Sequence, residues 1–400
     1  MTEFLIGRQQ ILDSKLNTFA YEILFRGKDF DLSIQESAAS ATKQVITDTI
    51  LEIGLNELVG PHLAFINFTA QNILEKTPLD LPKDRIVVEV LENVTVDKHI
   101  IKNLRELSSQ GYTIALDDFE LTEQWLPLLE FVDIIKLDIM AHSLDETRQL
   151  IEKLKPYGLK LLAEKVETHH EFELLKSWGC ELFQGFFFSK PKVVEGKRLG
   201  VSQTATIQLL SAINHSDVTF QEVGKIISQD VSLSYKLLHF INSASFAIPG
   251  KIDSIQHAIT YLGLKEIRRW VNILALSSMS TKPPAVLQTT LVRAKMCELL
   301  ALEINQDSET YFLMGLLSGL DSILDLPLDH ALQQLPLSQT VADAILHKTG
   351  MLGQALQYVL DYERWEMGQS TFADIEPQRI AAIYLECIQW WSTQVLPFIK

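Results

Sequence analysis

Short apolar runs alternate with helical spacing through the first half of the chain, and a 3.6-residue period takes over in the second. Residues 4–12 and 18–25 read as strands joined by the polar turn Asp13-Ser14-Lys15. So short a connection makes the pair antiparallel. Helical spacing over 36–58 leads to strands at Leu63–Phe68 and Arg85–Leu91, and a helix near 96–109 ends at Gly111, a C′ glycine. Strands at 113–118, 133–139, 159–165 and 181–187 are separated by helical stretches at 122–130, 143–155 and 169–178. The strands are mostly apolar throughout, as strands covered by helices must be. Eight of them predict a (β/α)8 barrel, TIM-like, whose first strand is antiparallel. A doubly wound open sheet fits the same pattern, because periodicity does not reveal closure.

After Ser189-Lys190-Pro191, residues 192–203, with Gly196, Gly200 and several polar positions, read as a connector. Helices fit 204–214, 219–228, 231–242, 253–262, 264–279, 286–304, 309–325, 338–347, 351–366 and 372–394. Pro249-Gly250, Pro283-Pro284 and Pro336 punctuate them. The expected organisation is a barrel over 1–195 and an all-helical domain over 196–400.

Composition narrows the partners. With 47% hydrophobic and 22% charged residues the chain can build a sizeable core. Its net charge of −16 makes it a poor binder of nucleic acid or membrane surfaces, both anionic. Cys180, Cys297 and Cys387 are far apart and lack metal spacing, which points to a reducing cytoplasm. Glu3 and Arg8 interrupt the first apolar run, so it does not read as a signal peptide, and no run reaches membrane-spanning length.

The candidate chemistry lies on the strands. Glu22, Asn67, Glu89, Lys136, Glu164 and Gln184 each interrupt an apolar run, and Asp117-Asp118 closes another. One acid in a strand is more often solvated or salt-bridged than a metal ligand. A set at equivalent strand positions is harder to assign to chance, because a barrel gathers the C-terminal ends of its strands at one mouth. Five carboxylates with an amide and a lysine there make an oxygen-rich site for Mg²⁺ or Mn²⁺. Adjacent carboxylates such as Asp117 and Asp118 also raise each other's pKa unless a cation intervenes.

These residues make the first half resemble the EAL family of cyclic-di-GMP phosphodiesterases. Glu22-Ile23-Leu24-Phe25-Arg26 stands where that family has its naming tripeptide and following arginine, with isoleucine for alanine. Asn67 matches a strand asparagine, Glu89-Val90-Leu91-Glu92 an E-x-T-E run, and Asp117-Asp118-Phe119 the start of D-D-F-G-T-G. Lys136-Leu137-Asp138 matches K-x-D, Ala163-Glu164-Lys165-Val166-Glu167 matches A-E-G-V-E, and Gln184-Gly185 matches Q-G. The resemblance implies two-metal hydrolysis of cyclic di-GMP to the linear dinucleotide. It implies that Glu22, Asn67, Glu89 and Asp117 hold one ion, and Asp118 and Glu164 the other, with Asp117 near both. Lys136 and Glu164 take catalytic roles, the Lys136 ammonium having its pKa lowered by the cations. Leu24, Arg26 and Gln184 face substrate, and Glu92 anchors the loop after Asp118.

Two departures from that family matter. Glu120-Leu121-Thr122 replaces Gly-Thr-Gly, removing glycines suited to a tight turn at positive φ. Arg26 is followed by GKDFDLSIQESAAS in place of a longer segment containing Trp-His-Pro.

The second half resembles the HDOD family, a helical output module related to HD phosphohydrolases, through Leu237–Ala244 with Phe246 and through Ser254–Ile259 leading to Leu262-Gly263. It has no His-Asp dipeptide. His215, His239, His257, His330 and His347 are scattered and read as surface or core residues, so this half is assigned no chemistry. Arg268-Arg269 reads as a solvated face or a contact for an acidic partner, and Trp365, Trp390 and Trp391 as packing for the last helix. The module order resembles bacterial EAL–HDOD signalling proteins, and Ala39–Gly60 looks like that subgroup. Three functions follow as expectations: a phosphodiesterase coupled to a helical domain that binds a protein partner, a non-catalytic nucleotide sensor or scaffold, and hydrolysis of another phosphodiester. Barrels of this kind often pair as homodimers; the sequence leaves the oligomeric state open.

Overall fold

The computed structural model describes residues 4–27, 54–186, 201–215, 218–242, 252–279, 282–333, 335, 337–366 and 372–399. It divides into two compact units, Met1–Lys190 with Glu376–Leu385, and Pro191–Ile375 with Glu386–Lys400. The expected boundary at 195/196 falls outside the described residues, as do 36–53 of the helix expected over 36–58.

The first unit is a closed barrel in strand order β1 to β8. The strands are β1 (Phe4–Asp13), β2 (Thr18–Gly27), β3 (Leu63–Phe68), β4 (Ile86–Val90), β5 (Thr113–Leu116), β6 (Ile134–Asp138), β7 (Lys160–Glu164) and β8 (Leu182–Gln184). β1 pairs antiparallel with both β2 and β8, and all other pairs are parallel. Closure removes the open-sheet alternative. Asp13 fixes the β1–β2 turn by accepting hydrogen bonds from the Lys15 and Asn17 backbone N–H groups, each at 2.8 Å.

Ile11, Ala20, Phe65, Val87, Ala115, Ile134, Leu162 and Leu182, one from each strand, form a single buried layer inside the barrel. Side chains two apart on a strand share a face, so this layer dictates what lies above it. The helices that cover the barrel start on strong caps. Ser143 with Glu146, and Thr168 with Glu171, form capping boxes for Leu144–Leu154 and His169–Trp178. Asp97 caps Lys98–Ser109 through the His99 and Ile100 backbone N–H groups.

One expected helix is absent. The stretch 122–130 contains turns and a single 3₁₀ turn, Leu126–Leu128. Pro127 lies inside that span, lacks the N–H an α-helix needs there, and its ring clashes with the preceding turn.

The second unit is helical. Its longest run, Ile255–Met279, is interrupted at Gly263, whose φ of 82° is non-helical, so the two expected segments are real. The stretch expected as one helix over 309–325 breaks into Ser308–Leu317 and Leu320–Leu324, and Leu328–Leu332 is an additional short helix. Residues 386–390 end the helix Pro377–Trp390, which continues into a π turn, Trp391–Val395, and a short helix, Leu396–Ile399. Trp390 and Trp391 are buried there, and Trp390 lies 6.2 Å from Trp270 and 6.3 Å from Phe312 between ring centroids. Trp365 instead packs edge-on against Tyr362 at 5.8 Å. Within the Leu237–Ala244 stretch, Asn242 accepts from the Ile252 N–H and donates to the Ile252 carbonyl, each at 2.8 Å. Residues 243–246 of the motif lie outside the described residues. Among the described residues no helix is long and apolar enough to cross a membrane.

Candidate active site

The site is the layer above the apolar one. Two residues after Ala20, Phe65, Val87, Ala115, Ile134, Leu162 and Leu182 come Glu22, Asn67, Glu89, Asp117, Lys136, Glu164 and Gln184. Because β1 runs the other way, its counterpart comes two residues before Ile11, and that residue is Gln9. Gln9 pairs in register with Glu22. Reading each strand towards its C-terminus does not reach Gln9; reading the reversed β1 towards its N-terminus does.

Lys136 stands at the centre, 1% exposed. Its Nζ donates to Glu89 Oε1, lies 2.8 Å from Asp117 Oδ1 and 2.9 Å from Glu164 Oε1, and is 3.7 Å from Glu22 Oε2. Gln184 Nε2 bridges Glu22 Oε2 at 2.6 Å and Gln9 Oε1 at 2.7 Å, while Asn67 Nδ2 donates to Glu22 Oε1 at 3.2 Å. Asp117, Asp118 and Glu164 each offer a carboxylate oxygen, and these oxygens lie within 4.8 Å of one another.

One ammonium does not neutralise this set. Burial drives the Glu89 carboxyl well above the ordinary range; Lys136 opposes that shift, and Glu22, Asp117 and Glu164 add to it. Burial likewise carries Glu164 to about 8 against the pull of Lys136, with Asp117 and Glu22 raising it further. Asp118 is raised by burial and by Asp117. For Lys136 itself, burial favours the neutral amine, but Glu164, Glu22, Glu89 and Asp117 outweigh it and hold the group well above its usual value. This is the direction without metal; the lowering expected for Lys136 belongs to a site that holds divalent cations.

The donor set fits divalent metal. Glu89 Oε2, Asn67 Oδ1 and Gln184 Oε1 are buried without a hydrogen-bond partner. Buried oxygens left open cost free energy unless something accepts their lone pairs. A hard cation bound by carboxylate and amide oxygens does so.

Asp118 adopts φ 41°, a left-handed conformation that Asp tolerates better than most residues. Among the described residues, Glu120, Leu121 and Thr122 have no positive φ. The loop is held instead by Phe119 N–H to the Lys136 carbonyl at 3.1 Å, Trp125 N–H to the Thr122 carbonyl at 3.1 Å, and edge-on packing of Phe119 and Trp125. The missing glycines are not needed for this path. Gly185 is needed: at φ 145°, an added Cβ would lie 2.1 Å from the Val166 carbonyl oxygen.

The other sequence-expected residues lie around this centre. Leu24 is half-buried on β2, and Arg26 is on the same strand, its side chain outside the described residues. Glu92 is exposed and, among the described residues, makes no hydrogen bond to the loop. Residues 28–40, which follow Arg26, lie outside the described residues.

The helical unit holds no comparable group among its described residues. His215, His239, His257, His330 and His347 are all exposed. Arg269 is paired within the unit, donating to Glu266 at 2.6 Å and to Glu298, and Arg268 lies 3.7 Å from Glu309, so this basic pair is not a simple solvated face.

The EAL domain family matches residues 27–191 and the HDOD domain family residues 201–371. The chain is 35% identical over 365 residues to the cyclic di-GMP phosphodiesterase CdgJ of Vibrio cholerae, covering 90% of this chain and 84% of that protein. It is 31% identical over 400 residues to YuxH of Bacillus subtilis, covering 96% and 97%. Among solved structures, an EAL domain protein from Listeria monocytogenes aligns with a TM-score of 0.38 at 21% identity, over 46% of this chain and 87% of that one.

Proposed function

The chain belongs to the family of proteins that join an EAL domain to an HDOD domain, and from that premise we propose that it is a metal-dependent phosphodiesterase opening cyclic di-GMP to its linear dinucleotide. The observation that carries this reading is four carboxylates from four strands closing on one buried lysine at the barrel's C-terminal rim, with buried oxygens left open beside them. The likeness to CdgJ, a cyclic di-GMP phosphodiesterase, supports the substrate.

In this reading Glu22, Asn67, Glu89 and Asp117 would hold one divalent cation, and Asp118 and Glu164 a second, with Asp117 near both. Such ions, Mg²⁺ or Mn²⁺, supply a water of lowered pKa and neutralise charge growing on the phosphoryl oxygens. The protein does the rest. Gln184 and Asn67 hydrogen-bond both oxygens of Glu22 and fix its orientation. Lys136 Nζ, held by Asp117 and Glu164, orients the attacking water, and Glu164 Oε1 lies 2.9 Å from it as a place for a proton to go. Leu24 and Arg26 face the nucleotide, and Glu92 is the anchor that the family resemblance gives the loop after Asp118. The domain division is near 195, and the HDOD unit acts by binding a protein partner. The test is turnover of cyclic di-GMP by the full chain with Mn²⁺ or Mg²⁺. Linear product that disappears in Glu22→Ala supports the reading; nucleotide binding without product selects a sensor.

A further inference from the structure

At the end of β7 the residue after Glu164 is Lys165, standing where the A-E-G-V-E pattern has glycine. Its φ is 55°. A side chain at such a φ is strained where glycine is not. Strain of this kind persists where the surroundings enforce it, and here a tether does. Lys165 Nζ donates to Asp138 Oδ2 at 2.5 Å, and the other Asp138 oxygen accepts the Met140 N–H at 2.8 Å. Asp138 ends β6 and pairs in register with Glu164.

Lys165 is largely exposed, so its ion pair with Asp138 contributes little to stability; what it fixes is where the charge sits. The ammonium is held at the end of β6, beside the strand that carries Glu164. Its field reaches both Asp118 and Glu164. Like charges repel at this range, and the repulsion is only partly screened where one wall is protein.

We propose that Lys165 is a positioning residue that weakens divalent-cation binding at the Asp118–Glu164 side of the site, so that this second cation binds only at higher metal concentration while the first does not respond to Lys165. The inference rests on the two-cation reading given above. It makes occupancy of the second position, rather than of the whole site, the step at which metal supply limits the protein.

The experiment is calorimetric titration of Mn²⁺ into metal-free full-length protein, without nucleotide, for the parent and for Lys165→Met, Lys165→Gly and Lys165→Arg. The parent shows two classes of site. In Lys165→Met and Lys165→Gly the weaker class tightens by about tenfold, equivalent to about 1.4 kcal/mol, and the tighter class is unchanged. Lys165→Arg keeps the parent's weaker affinity, which a purely structural role would not predict. Lys165→Gly guards against misfolding of the Met variant, because glycine accepts this φ without strain. Two classes that are unmoved in both neutral variants overturn the inference and leave the two-cation reading intact. A parent that binds fewer than two Mn²⁺ overturns both.

Discussion

The two units treat buried charge in opposite ways. In the helical unit, among the described residues, cations are met by single carboxylates: buried Arg293 forms a two-pronged pair with Glu363 at 2.8 and 2.9 Å, and half-buried Arg269 and Lys282 meet Glu298 and Asp325. In the barrel, Lys136 is shared by Glu22, Glu89, Asp117 and Glu164, with Asp118 close by. A pair settles its own desolvation and serves as scaffold. A surplus of one sign does not, and it marks the place where something from outside the chain completes the balance. The contrast says which half carries chemistry without reference to any motif.

The largest effect that would test this contrast is removal of the central cation. Lys136→Met leaves the buried Glu22, Glu89 and Glu164 and the half-buried Asp117 facing one another. Turnover of cyclic di-GMP should fall by about 10² to 10⁴, the range general acid–base groups contribute. The metal-free variant should also lose roughly 3–5 kcal/mol of stability, as when one partner of a buried pair is deleted. Mn²⁺ should restore much of the stability and none of the turnover. Chemical denaturation with and without Mn²⁺, beside the activity assay, separates the two. If the variant keeps parental activity, the barrel's charge surplus has no catalytic meaning.

The same operation in the helical unit should have a different outcome. Glu363→Ala strands Arg293, which is otherwise held by Glu363 and Ser318, and should cost about 3–5 kcal/mol. The double variant Arg293→Met with Glu363→Leu should recover most of that loss, since a buried pair can be exchanged for apolar groups of similar volume. Cyclic di-GMP turnover should be unchanged in the double variant at temperatures where it is folded. Loss of activity in the double variant would show that the helical unit's buried charges serve more than packing.

A smaller effect is carried by pH. Glu89, Glu164 and Asp118 are each raised from their ordinary values, chiefly by burial. Their folded forms bind protons that the unfolded chain releases, so stability of the metal-free protein should fall as pH rises from about 5 towards 8. Lys136 is raised from an already high value, so its contribution is fully present across that window. Each kcal/mol lost corresponds to roughly 2–4 °C in a unit of this size. Mn²⁺ should flatten or invert the slope, because it binds the carboxylates in their ionised form. Thermal melts at pH 5, 6.5 and 8 would test it; a metal-free melting temperature that climbs with pH contradicts the charge surplus.

The contrast also explains what could be read from sequence. The barrel was legible because one period of two governs both its apolar layer and the polar layer above it. Glu22, Asn67, Glu89, Asp117, Lys136, Glu164 and Gln184 then fall into one ring without any knowledge of distance. Gln9 was missed because β1 is reversed, and the helix over 122–130 was over-read because apolar spacing was weighed above Pro127. The helical unit's pairs were not legible at all. Arg293 and Glu363 are seventy positions apart, and a 3.6-residue period says which face is buried but not which charges meet across it. Lys165 was visible as a departure from a motif, but its left-handed backbone and its bond to Asp138 were not.

The smallest expected effect concerns the loop after Asp118. Replacing Glu120-Leu121-Thr122 by Gly-Thr-Gly would bring back the residues the family resemblance calls for. If the lost glycines had impaired the site, turnover should rise sharply. The backbone argues otherwise: none of the three residues uses a positive φ, and the left-handed position belongs to Asp118 itself. The anchors are the Phe119 and Trp125 backbone N–H groups and the buried Phe119 and Trp125 rings, and the one acceptor inside the triplet, Thr122, acts through its backbone carbonyl, which the replacement keeps. Two added glycines enlarge the unfolded ensemble, which costs roughly 0.4–1 kcal/mol each at positions other residues occupy without strain. The triple variant should therefore be slightly less stable, with kcat/KM within about threefold of the parent, a change of under 1 kcal/mol in transition-state binding. A gain well beyond that would mean the loop, and not the ring of strand residues, limits catalysis, and would shift the weight of the site from the barrel's rigid layer to its rim.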